Sequence, residues 1–185
     1  MPDKQALCSL LSFLLGTSVG RFGDKMGNHT RNWLISATLI QALMLVASAL
    51  TAHFGRQSGL AGDRGDPSWT NPTSFAALGF ASASLGLQGI IGKRLNTQFA
   101  TALVLTTGWV ELVNDPFLFA LRRVNTRDHK VMSILAVFMG AFISKAFVDK
   151  IGPAGTLGIA AGLRVIGAYV WLIIPSKVPA PPKTA

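Results

Sequence analysis

Long apolar stretches alternate with short, mostly basic ones along this chain. Sixteen uncharged residues separate Lys4 from Arg21, 24 separate Arg31 from Arg56, and 26 separate Asp66 from Lys93. Another 16 lie between Arg94 and Glu111, and 14 between Lys130 and Lys145. From Lys150 to Lys177 a single charge, Arg164, interrupts 26 residues. Crossing the hydrocarbon core of a bilayer takes about 20 mostly apolar residues. Lipid offers no partner to backbone N–H and C=O groups, so such a segment must be helical. The pattern predicts an all-α, polytopic transmembrane helix bundle with six spans. These are Gln5–Phe22, Trp33–Phe54, Thr73–Gly92, Thr97–Val113, Val131–Val148 and Pro153–Ile174. A soluble protein with buried core helices is the alternative, but six such intervals leave almost no amphipathic helix to form its outside.

The connections agree. Gly55–Pro72 (GRQSGLAGDRGDPSWTNP) is rich in turn formers and reads as an exposed loop. Within Asn114–Lys130, the stretch PFLFALRR has aromatics to lay into an interface and arginines to keep above it. Four prolines mark Pro175–Ala185 as a disordered tail, leaving residues 1–174 as the transmembrane helical domain.

Composition narrows the class. Only 14% of the chain is charged and half is hydrophobic, with a mean hydropathy of +0.44. A soluble domain carries about 25% charge, so too few charges exist here to cover a water-facing surface. Intrinsic disorder is excluded by the hydrophobicity, and an internal disulfide by the single cysteine, Cys8. The net charge of +9 and pI of about 10.5 raise the question of nucleic acid. The basic residues fall in the gaps between apolar runs, however, which is a membrane pattern. The expected partner is the lipid bilayer, with no nucleic acid.

Met1–Gly20 also has the form of a secretory signal: a charged start, an apolar stretch, then small residues. An internal repeat argues against that. With a shift of 124 residues, CSLLSFLLGTSVGR (Cys8–Arg21) falls on MSILAVFMGAFISK (Met132–Lys145). Ser9 meets Ser133, Leu11 meets Leu135, Gly16 meets Gly140 and Arg21 meets Lys145. Such similarity is the usual trace of a duplicated membrane unit. Matching the first span to the fifth makes the repeat parallel, and the first half then lacks the segment that precedes it in the second.

Ala81–Pro116 (ASASLGLQGIIGKRLNTQFATALVLTTGWVELVNDP) resembles the signature of the YoaK-like family of uncharacterised membrane proteins (domain of unknown function 1275), particularly its fungal branch. The matching positions are Gly86 and Gln88 in one helix, the basic turn Lys93-Arg94, Thr106-Thr107 in the next helix, and the pair Glu111-Leu112. Ser9, Phe13 and Gly16 resemble that family's second conserved helix. Bacterial members have Asn directly after the Gln, where this chain has Gly89. The resemblance implies a multi-pass membrane protein with a further segment before Ser9, and it brings no established activity.

Five residues form the candidate substrate-binding set: Gln88, Thr106, Thr107, Glu111 and Arg164. Arg164 stands in mid-span, where a cation costs about 2.5–3.5 kcal/mol, so it needs a partner or a watery cavity. Glu111, by span parity near the same face, is the expected partner. Opposing readings are a structural ion pair and an Arg that snorkels to the interface. Gln88 sits among Gly86, Gly89 and Gly92, where a ligand or another backbone can come close; its amide equally suits an interhelical hydrogen bond. Thr106 and Thr107 can bond their own helical turn. Gly16-x-x-x-Gly20 and Gly158-x-x-x-Gly162 are close-packing faces.

No catalytic, metal or cofactor constellation is visible, so an enzyme is not expected. His29, His53 and His129 lack metal-ligand spacing, and the glycines around Gln88 do not have phosphate-loop spacing. Asn28-His29-Thr30 is a glycosylation sequon in form, but it lies close to both flanking spans. Two functions stay open: a small-molecule transporter with a polar site among its helices, or a non-transporting assembly or regulatory component. Self-association into a homo-oligomer is compatible with both. Six spans put both termini on one side, with nine basic residues there against six opposite, which favours cytosolic ends.

Overall fold

A computed structural model of the chain describes residues 2–55, 71–95, 109–110, 112–115 and 125–174. Its helices are α1 (Pro2–Val19), α2 (Arg21–Met26), α3 (Arg31–Phe54), α4 (Pro72–Leu95) and α5 (Asn125–Ile173). Each long helix starts on a charged or turn-forming residue that bounds an apolar run: Pro2, Arg31, Pro72 or Asn125. Arg31 opens α3 and Lys93-Arg94 close α4, so the helices continue past the apolar stretch to the depth where charge meets water. Between α2 and α3 the backbone turns on Gly27, whose φ of 91° suits glycine. Thr30 holds the turn by donating to the Gly27 carbonyl at 2.7 Å.

Four helices among the described residues are long and apolar enough to cross a membrane: Asp3–Met26, Arg31–Phe54, Pro72–Leu95 and Arg127–Ile173. Against the expected six spans, the described residues therefore hold four such helices. The predicted spans Val131–Val148 and Pro153–Ile174 correspond to two helical stretches that meet at a kink, with no loop between them. They are two arms of α5, bent where Gly152 leaves helical geometry (φ 77°, ψ 172°) and Pro153 follows without an N–H. The arms measure roughly 40 and 30 Å at 1.5 Å per residue. The predicted Thr97–Val113 span falls outside the described residues except for a helical turn at its end. The loop between α3 and α4 and the proline-rich tail lie outside them almost entirely.

The helices form a row in which α1 packs on α4, α4 on α3, and α3 on α5. Direction follows from the contacts. Cys8 meets Phe75, Ser9 meets Ser82 and Thr17 meets Gly86, so α1 and α4 run parallel. Ser48 meets Ala77 and Ser84 meets Gln41, so α3 runs against α4. Arg31 donates to the Ile174 carbonyl at 2.7 Å, and Gly167 faces Thr38, so α3 also runs against the second arm of α5. Trp33, Leu34, Leu87, Val19, Leu95 and Trp171 cluster at the end where α1, α4 and α5 finish. Pro2 and Ile174 consequently lie at opposite ends of the row. The expectation that both termini share a side is corrected on this point, because it counted spans where the register decides.

The interior is built from small and polar residues: Ala37, Ala77, Ser48 and Ser74 are fully buried. The outer faces carry Leu10, Leu14, Leu43, Phe142, Leu163 and Ile166, each more than half exposed. A water-soluble bundle places these classes the other way round. In lipid, association instead relies on close backbone approach between small residues. The α1–α4 seam shows this directly. A Cβ on Gly16 would overlap the Ala83 carbonyl, and one on Gly86 would overlap the Phe13 carbonyl.

Candidate functional site

The α3–α4 and α3–α5 seams each hold polar groups at the middle of the helices. On α4, Ser84 donates to the Gln41 carbonyl at 3.4 Å, and one turn away Gln88 shares the α3-facing stripe with Ala77, Ser84 and Leu87. On α3, Gln41 is 2% exposed and its side-chain oxygen Oε1 has no hydrogen-bond partner. Ser48 lies two turns further along and is satisfied by the Ala77 carbonyl at 2.7 Å.

Arg164 completes this layer. The Arg31–Ile174 and Thr38–Gly167 contacts keep one antiparallel register between α3 and α5. Extending that register by one helical turn sets Arg164 level with Gln41. Arg164 also falls on the stripe of Ala161, Ala168 and Trp171 that turns toward α3; the side chain is partly buried and forms no hydrogen bond or ion pair with a described residue. Both positions are about ten residues from the nearer helix end, or roughly 15 Å deep. Ser84, Gln41 and Arg164 thus form one polar layer across three helices, at the depth where polar side chains cost most.

Of the five predicted site residues, the structure describes Gln88 and Arg164, and it sets them apart, on α4 and α5 with α3 between them. Thr106, Thr107 and Glu111 lie outside the described residues, and with them the expected Arg164–Glu111 pair. Gln41, buried on α3 between those two helices, escaped the sequence reading. It is the one amide in a span otherwise made of apolar and small hydroxyl residues between Trp33 and Thr51, and that contrast was the available signal.

Several motif residues prove to be packing residues. Ser9, Phe13 and Gly16 of α1 face Ser82, Ala83 and Gly86 of α4, so two separate motif stretches form a single seam. An open apolar groove of about 450 Å³ lies beside it, lined by Leu15, Phe75 and Phe80 with Cys8 and Ser12. Arg94 of the basic turn ties α4 to the α1–α3 connection. It binds the Gly20 carbonyl, the Asp24 carboxylate at 2.7 Å and the Asn28 side-chain oxygen at 3.3 Å. Asn28 in turn donates to Asp24 at 3.1 Å in an exposed contact, which engages the sequon amide. Arg94→Ala is expected to cost about 1–2 kcal/mol in thermal unfolding, discounted because Asp24 is half exposed. An unchanged melting temperature would mean that water already replaces these bonds.

Apolar helices that expose leucine and bury serine, with a polar layer at mid-depth, define a multi-pass integral membrane protein. The chain belongs to the DUF1275 family, described as "Protein of unknown function (DUF1275)", and the match covers residues 1–170. Neither a curated protein nor a solved structure matches the chain.

Proposed function

We propose that the protein is a small-molecule carrier, not an enzyme, whose substrate site is the Ser84–Gln41–Arg164 layer with Gln88 beside it. One observation supports this above the others: a cation and a buried amide oxygen, both without partners among the described residues, stand level at mid-membrane. Intramembrane ionisable residues of this kind mark substrate pathways. The test is uptake into proteoliposomes of the full chain, across a panel of small anions and metabolites. Saturable uptake of an anion supports the reading; none across the panel with folded protein opposes it. The Glu111-Leu112 pair supports assigning the chain to the family's fungal branch within the same proposal.

A second reading, a non-transporting component that associates through its helices, has its own support. A Cβ on Gly140, Gly158 or Gly162 would meet nothing within 4 Å, so the Gly158-x-x-x-Gly162 face is open to another helix. It predicts that Arg164 and Gln88 variants lose assembly with no ligand-linked effect.

Orientation follows from charge. Arg21, Lys25, Arg31, Lys93 and Arg94 collect at the end where α1, α4 and α5 finish. The positive-inside rule makes that end cytosolic. A C-terminal tag is expected to be digested in sealed, cytosolic-side-out microsomes while a tag before Pro2 is protected. Digestion of both would contradict the opposed ends.

A further inference from the structure

Among the described residues, buried polar side chains are mostly matched. Ser48 bonds Ala77, Ser9 bonds Ser82, and Thr17 bonds Phe13 and Gly86. Among the described residues only two buried side-chain N or O atoms lack a partner, Arg31 Nε and Gln41 Oε1. The Arg31 guanidinium is already engaged at Ile174. Gln41 Oε1 is an acceptor with nothing donating to it, and in the α3–α5 register its residue stands opposite Arg164, whose guanidinium has donors and no acceptor among the described residues. A halide or simple carboxylate satisfies the guanidinium and leaves the amide oxygen bare. A neutral alcohol does the reverse and leaves the cation uncompensated in lipid.

We propose that the layer binds a small oxyanion that carries its own O–H, the chemistry of a 2-hydroxycarboxylate or of bicarbonate. Its anionic oxygens accept from Arg164 and its hydroxyl donates to Gln41 Oε1. A single negative charge matches the single cation. Ser84, already donating to the Gln41 carbonyl, holds that turn of α3 against α4. The inference rests on the carrier reading and specifies its substrate.

The experiment uses the full chain in lipid nanodiscs and a matched pair of probes, lactate and propionate, which differ by one hydroxyl. Calorimetric titration is expected to show lactate binding about tenfold or more tightly, since propionate leaves a buried acceptor unpaired. Gln41→Leu, close to Gln in volume, is expected to bring both anions to the propionate affinity. Arg164→Gln is expected to abolish binding of both. If Arg164→Gln fails to fold, Arg164→Lys keeps the charge and must retain the lactate preference. Equal binding of lactate and propionate by the wild type overturns the proposal, as does a preference that survives Gln41→Leu. Uptake assays on the same preparations separate the two levels. Equal binding with anion uptake intact overturns the substrate class and leaves the carrier reading in place. Absence of both binding and uptake overturns the two together.

Discussion

Valine at Gly16 or at Gly86 is expected to separate α1 from α4 and to cause the largest stability loss of any single substitution in the bundle. Each glycine lies against a carbonyl of the partner helix, Ala83 for Gly16 and Phe13 for Gly86. The obstacle is backbone, which cannot rotate aside as a side chain can. Overpacking costs about 1–3 kcal/mol in a well-packed core, and more where nothing can yield. The seam's Ser9–Ser82 hydroxyl contact at 2.8 Å and the Thr17 bond to the Gly86 carbonyl at 3.3 Å would be lost with it. Gly140→Ala and Gly158→Ala meet open space and should shift stability by no more than about 1 kcal/mol. Thermal unfolding in a mild detergent compares the four. Similar melting temperatures would show that α1 and α4 do not approach as closely as described.

Arg164→Leu is expected to separate stability from activity. A cation at mid-helix with no partner among the described residues costs about 2.5–3.5 kcal/mol in lipid, so on the carrier reading an apolar replacement should leave the bundle as stable or more so. On the same reading uptake should fall to the liposome background, because the charge proposed to attract the anion is gone. A structural ion pair has the opposite signature: removing one partner of a buried pair costs about 3–5 kcal/mol. The sequence-based expectation of pairing with Glu111 belongs to that second class. It predicts that Arg164→Ala is destabilising and that Glu111→Gln restores part of the loss. A double-mutant cycle on detergent-solubilised protein decides between them. Additivity favours the anion site, and a coupling above about 0.5 kcal/mol favours the pair.

The apolar pattern located the helices well. Trp33–Phe54 and Thr73–Gly92 differ from α3 and α4 by a few residues at their ends, since charge-free runs stop where the helix reaches the interface while the helix itself continues through Arg31 or Lys93-Arg94. The same criterion ended one span at Val148 and began the next at Pro153, and the kink falls between them, although Lys145, Asp149 and Lys150 are all helical. These charges sit on a helical surface, where Lys145 pairs with Asp149 one turn away at 2.5 Å, and the real break is the backbone of Gly152. Glycines at Gly16 and Gly86 were read as places of close approach, and they are. What approaches is a neighbouring helix at both. Gln41 was missed because an uncharged amide leaves no mark in a charge-gap pattern, and its weight comes from burial and a missing donor, which only packing shows. Orientation failed for a related reason: parity counts crossings, whereas the Arg31–Ile174 bond fixes which ends meet.

The central claim is that the mid-membrane layer is a ligand site and not dry packing. Cys8 is the only cysteine, so Cys8→Ser gives a background free of thiols. Ser84→Cys in that background places one thiol in the layer beside Gln41. Its rate of modification by a small, charged methanethiosulfonate reagent, with and without lactate in the medium, tests the claim most directly. The predicted result is measurable modification that lactate slows in a saturable way. A thiol that never reacts in the folded protein, or one whose rate lactate leaves unchanged, would contradict it.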